Sequence, residues 1–142
     1  MGDTTIKVSK VDINDEEVGK ELLRLLTAYA LDRQGGGEDL SDYCKANLLN
    51  ELKKRDNSCH IFFATIDGVN VGISTTFEGF STFAAKPLLN IHDFAVCPEF
   101  RRRGVGKAMM AYIEEFARSR GYCKLTLEVK QIFLEVQSFA ST

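Results

Sequence analysis

The chain has 142 residues, 44% hydrophobic and 27% charged, with a formal net charge of −2. That is the make-up of one soluble domain with a sizeable core, and it excludes a disordered tail, a collagen and a small disulfide scaffold. No apolar run reaches the roughly 18 residues of a membrane helix, and the opening MGDTTIKVSK lacks a basic-then-apolar signal pattern, so a cytoplasmic protein with no membrane partner is expected. Ile6 stands where a myristoylation motif wants a hydroxyl. Cys44, Cys59, Cys97 and Cys123 form no C-x-x-C pair, and His60 and His92 complete no zinc pattern, so four reduced thiols and no metal are expected. Residues 1–50 carry 6 basic and 10 acidic side chains, whereas residues 101–142 carry 8 basic and 4 acidic. With a pI near 5.7 the chain is not a general nucleic-acid binder, and any anion it holds is small and local.

In chain order, TTIKVSKV (4–11) puts Ile6 and Val8 on one face of a short strand. Asn14 followed by Glu17 reads as a helix start, with Val18, Leu22, Leu25, Leu26 and Tyr29 forming its apolar stripe and the glycines at 35–37 ending it. A second amphipathic helix spans about 42–55. CHIFFATI, the turn Asp67-Gly68 and VNVGISTTF predict a hairpin. FEGFSTFAAKP reads as a loop, in which Phe77, Phe80 and Phe83 fill a core edge. LLNIHDFAV (88–96) is a third strand of the same size. A basic, glycine-containing turn then leads into a helix over about 104–120 that Gly121 stops. YCKLTLEV is a final strand with Leu125, Leu127 and Val129 on one side. Nothing divides the chain, so residues 1–142 are expected to form one α/β domain.

The chemistry concentrates in Pro98, Glu99, Phe100, Arg101, Arg102, Arg103, Gly104, Val105, Gly106 and Lys107, where a strand feeds a helix N-terminus. The first helical N–H groups have no intrahelical partner, and the helix dipole favours an anion there. Gly104 and Gly106 let main chain approach it, and four cations lie between residues 101 and 107. A phosphate cradle follows. It is neither a Walker A loop nor a dinucleotide fingerprint, because Arg101, Ala108 and Met109 stand where those motifs need glycine, a hydroxyl and a small residue. Behind it, Val105, Ala108, Met109, Tyr112, Ile113, Phe116 and Ala117 form a packing stripe. Cys97 has no activating partner by sequence and is expected to be a small buried hydrophobe.

The pattern R-x-x-G-x-G/A after a strand ending V-x-P, in VCPEFRRRGVGKAMM, resembles the GNAT superfamily of acetyl-CoA-dependent N-acetyltransferases, and the resemblance covers about residues 4–130. It implies a mixed, mostly antiparallel sheet flanked by helices. It also implies acetyl-CoA as co-substrate, with pantetheine on the main chain of Phe94, Ala95 and Val96. The pyrophosphate would lie on Arg101 and on the amides of Arg102, Arg103, Gly104, Val105, Gly106 and Lys107. Where several branches carry a catalytic Glu, this chain has His92 and Asn90, which share a strand face from which alternation turns Asp93 away. His92 and Asp93 are the catalytic candidates, with His92 the better base because imidazole takes up a proton near neutral pH.

The acceptor implied is a primary amine, on a small molecule or a lysine side chain. LLNIHDFAV is similar to the diamine and thialysine acetyltransferase branch, and Glu38, Asp39 and Asp42 fall in the acceptor region, favouring a small cationic amine. After Val129 the family continues with a helix that often supplies a Tyr as acid, and two strands. Here KQIFLEVQSFAST remains, without Tyr, so the usual C-terminal helix and strands are expected to be missing or divergent. A tail strand with Ile132, Leu134 and Val136 is then expected to pair with a second copy as a homodimer. The alternative is an acyl-CoA-binding or dimerising module with impaired turnover.

Overall fold

A computed structural model describes residues 5–32 and 36–127 and the pair Gln137–Ser138, the last two as backbone only. The elements are β1 (Ile6–Val11), α1 (Glu16–Leu31), α2 (Asp42–Lys54), β2 (Cys59–Ile66), β3 (Val69–Ser81), β4 (Lys86–Val96), a 3₁₀ turn (Pro98–Phe100), α3 (Val105–Ser119), β5 (Lys124–Leu127) and β6 (Gln137–Ser138). The six strands form one sheet in chain order. All neighbours are antiparallel except β4 and β5, which α3 joins as a parallel crossover.

The expected α1 stripe is present, but Asp15, not Asn14, is the cap: its carboxylate accepts from the Glu17 N–H at 2.9 Å. The Asn14 amide instead donates to Asp12 and Asp56, tying the start of α1 to the turn after α2. α1 stops at Leu31, with Asp32 already extended, ahead of the glycines, of which Gly35 lies outside the described residues. The hairpin turn is Asp67-Gly68, both at positive φ, as its residue types require. The stretch read as a loop is mostly strand. β3 and β4 stay paired as far as Ser81 and Lys86, leaving a turn of residues 82–85. This arm extends beyond the packed core, so Phe80 and Phe83 are exposed rather than core, while Phe77 packs against it.

The sheet separates two cores. α3 lies on one face, where Val105, Met109, Ile113 and Ala117 meet Phe62, Ala64, Leu89, Ile91 and Phe94. α1 and α2 cover the other, where Leu22, Leu25, Leu26 and Leu52 meet Ile61, Phe63 and Ile73. β2 therefore buries both faces, which is why CHIFFATI is a continuous apolar run. Gly72 on β3 sets how closely α3 approaches. A Cβ there would stand 2.6 Å from Met109 Sδ and 3.2 Å from both Ala64 Cβ and Val105 Cγ1. Gly72→Ala should cost about 1–3 kcal/mol through overpacking, read as a lowered denaturant midpoint. Met109→Ala in the same chain should recover part of that loss, because Met109 is the atom displaced.

A polar chain runs from the α3-side core to the surface at Glu78. The Tyr122 hydroxyl donates to Glu78 at 2.9 Å and lies 3.2 Å from His60 Nε2, while the buried His60 Nδ1 has no hydrogen-bond partner among the described residues. With the phenol proton given to Glu78, His60 bonds as the Nε2–H tautomer, and a second proton would sit on Nδ1 with no acceptor. Burial, then Lys10 and Arg120, push the imidazole below its ordinary 6.5, against smaller opposite effects of Glu78 and Asp56. The unfolded chain therefore takes up a proton as pH falls through about 6.5 while the folded chain resists. Stability present above that pH should be lost below it. Melting temperature against pH should show this fall, and His60→Gln, which keeps a donor but cannot titrate, should flatten it.

The last strand lies in the tail that was expected to pair with a second copy. Ile132, Leu134 and Val136 lie outside the described residues, but Gln137–Ser138 pairs antiparallel with Lys124 and Leu125 of the same chain. Lys124 and Leu125 at the edge of β5 thus pair within the chain, and a short tail strand is present at Gln137–Ser138.

Candidate active site

β4 carries the site, and one irregularity determines its chemistry. Thr75 pairs with Asp93 and Thr76 with Ile91, so His92 is an extra residue bulged from β4. Ile91 and Phe94 face the α3 core on either side of it. His92 and Asp93 consequently both line a cavity of about 380 Å³ on the opposite face. Strict alternation, which turns Asp93 away, is corrected here: the bulge puts adjacent side chains together.

Thr75 Oγ1 donates to Asp93 Oδ2 at 2.6 Å, and Ser74 Oγ to the Asp93 carbonyl at 2.8 Å, so carboxylate and bulge are both held. The exposed His92 ring meets Phe77 edge-on, centroids 5.8 Å apart. Asn90 turns from this chemistry, donating to Thr126 Oγ1 at 2.8 Å.

Tyr29 was visible in the sequence only as the end of an apolar stripe. It lines this cavity and a second one of about 210 Å³, reaching Ala95, Val96 and Arg101. Burial raises its phenol above the ordinary 10, with Asp93 and Asp32 adding to the shift and Arg101 opposing it. The hydroxyl therefore stays protonated across the neutral range. Cys97 is half-buried, and burial also raises its thiol, so it is no poised nucleophile.

At the other end of β4, a third cavity, of about 370 Å³, is lined by Phe94, Ala95, Val96, Phe100, Arg101, Arg102, Gly104, Val105, Gly106 and Lys107. Every residue expected in the cradle lines it except Arg103, whose guanidinium lies over the Phe100 ring, 5.0 Å from its centroid. Gly104 sits at φ +87° before the first turn of α3 and offers no side-chain cap, and Arg102 is also left-handed at φ +63°. The helix N-terminus thus lacks a side-chain acceptor from its cap and faces cations, which suits a phosphate. Arg101 departs from expectation. Its guanidinium pairs with Asp32 at 3.3 Å and its Nε donates to the Val96 carbonyl at 3.2 Å, joining the end of α1 to the cradle.

Between the two ends, β4 has an open side. β5 pairs only with Leu89, Asn90 and Ile91, and among the described residues no strand pairs with residues 93–96 on that side. Main-chain groups there can receive an extended ligand as an added strand. The cavity at Gly104 and Gly106, the open strand and the cavity at His92 follow one another along a single element.

Comparison with known proteins agrees with this geometry. A family model described as the acetyltransferase (GNAT) family matches residues 37–139. The chain is 34% identical over 116 residues to an uncharacterized N-acetyltransferase of Archaeoglobus fulgidus, covering 80% of this chain and 73% of the relative. An aminoglycoside acetyltransferase from an uncultured soil metagenomic sample, crystallised with sisomicin, superposes with TM-score 0.68 at 19% identity, covering 96% of this chain and 95% of that one. A ribosomal-protein-alanine N-acetyltransferase from Brucella melitensis gives 0.67 at 18% identity, covering 87% and 79%. A GNAT family acetyltransferase from Staphylococcus aureus gives 0.67 at 20%, covering 100% and 99%. These structures share the fold, and the matched family together with the archaeal relative gives the lineage: the chain belongs to the GNAT family of acetyltransferases.

Proposed function

We propose that the protein transfers the acetyl group of acetyl-CoA to the primary amine of a small molecule, with His92 and Asp93 as its catalytic pair. The observation that carries this reading is the order along β4, from the His92 and Asp93 cavity through residues 94–96 to the cradle at Gly104 and Gly106. A linear cofactor lying on the open strand would have its phosphates at α3 and its reactive end at the bulge. Arg102, Lys107 and the first N–H groups of α3 would hold the pyrophosphate, and the main chain of Phe94, Ala95 and Val96 would pair with the pantetheine amides. Arg101 serves as a positioning residue, since its guanidinium is engaged by Asp32 and Val96.

When bound, acetyl-CoA supplies an activated thioester carbonyl. Asp93, fixed by Thr75, holds the incoming ammonium, and His92 takes its proton so that the nitrogen lone pair is free. One C–N bond forms and one C–S bond breaks. Of the two protons the ammonium gives up, one leaves through His92 to solvent and the other ends on the thiol sulfur. Tyr29, which lines both cavities, is a phenol able to relay that second proton.

Calorimetric titration with CoA and acetyl-CoA, with mass detection of N-acetylated amine, tests the proposal. Micromolar binding with turnover supports it. Binding without turnover over a broad amine panel returns the protein to the acyl-CoA-binding module, and failure to bind CoA overturns both.

A further inference from the structure

We propose that the acceptor is a monoamine on an apolar body, an aliphatic chain or a single aromatic ring, rather than a polyamine. This rests on the transferase reading and narrows its substrate. The cavity around Asp93 is walled by Leu26 of α1, Leu40, Leu48 and Leu52 on and before α2, and Phe77 of β3. Among the described residues lining it, Asp93 is the only carboxylate. Glu38, Asp39 and Asp42, which the sequence placed on the acceptor side, do not line it, and Asp39 is paired with Lys45. One ammonium therefore finds a partner. A second, further along the same molecule, would lie beside buried and half-buried leucines with no counter-charge among the described lining residues, and drawing an unpaired charge out of water is disfavoured. Methylenes in that position gain instead, each buried CH₂ raising affinity about fourfold. Leu, Phe and Tyr side chains around a few placed polar groups are the usual lining of a site for a small, mainly apolar ligand.

The test is binding of butylamine, hexylamine, 2-phenylethylamine, 1,4-diaminobutane and spermidine to the full chain, by calorimetry without cofactor and then with CoA present. Hexylamine and phenylethylamine should bind at least about tenfold more tightly than butylamine, and butylamine more tightly than diaminobutane. Cys44→Asp adds a carboxylate to the cavity wall in the first turn of α2, where the helix dipole favours it, so folding is retained. That variant should weaken hexylamine binding and strengthen diaminobutane binding. Diamines binding as tightly as monoamines of equal length, an order unmoved by Cys44→Asp, or no amine binding at millimolar concentration would each overturn the proposal. The two readings fail separately. The expected order without acetylated product removes the transferase and leaves the pocket assignment, whereas efficient acetylation of spermidine over hexylamine removes the assignment and leaves the transferase.

Discussion

Gly104→Asp is expected to lower CoA affinity by about 10²-fold or more while the fold survives. Gly104 sits at φ +87°, where a side chain costs about 1–2 kcal/mol, but a Cβ there meets nothing closer than Ile6 Cδ1 at 3.9 Å. Strain, not collision, is therefore the structural penalty, and a domain of this size can absorb it. The functional penalty is larger. The new carboxylate stands before the first turn of α3, competes for the same N–H groups and repels phosphate. Hydrogen bonds to charged groups contribute about 1.5–3 kcal/mol each, so losing two reaches the expected loss. Gly104→Ala carries the strain without the charge and should retain most of the affinity. Titration calorimetry on both variants, with thermal melts as a fold check, separates the effects. Equal CoA affinity in wild type and Gly104→Asp would remove the cradle from α3.

The second large effect is expected at His92. His92→Ala should reduce turnover at neutral pH by about 10²-fold or more, with CoA affinity nearly unchanged. The side chain is exposed and meets Phe77 edge-on, so its loss opens no core cavity. Wild-type turnover under conditions where chemistry limits would make His92 a structural member of the bulge.

The strand–turn–helix around residues 98–107 was legible in the sequence because its information is local. Pro98, Gly104, Gly106 and the basic run fix a strand–turn–helix within ten residues, and α3 then folds on a stripe of period 3.6. The arrangement of His92 and Asp93 was not legible, because the extra residue in β4 is defined only by where β3 stands, and alternation read along one strand assigns Asp93 to the wrong face. Tyr29 was hidden for a related reason. A tyrosine on an apolar stripe signals packing, and only the ends of β4 and α1 coming together give its hydroxyl a setting. The β3–β4 arm was missed because its outer half is held by ladder pairing without burial, leaving no hydrophobic period to read.

The β4 bulge also makes the site depend on residue count as well as residue identity. Ile91 and Phe94 face the same core with two residues between them, where a regular strand has one. Removing His92 outright would bring Ile91, Asp93 and Phe94 into plain alternation, close the ladder against Thr75 and Thr76, and leave every core position filled. The protein would keep its shape and its carboxylate and lose the imidazole beside it. Gain and loss of this second polar side chain in the cavity are thus separated by a single codon's insertion or deletion, a change that asks little of the surrounding fold.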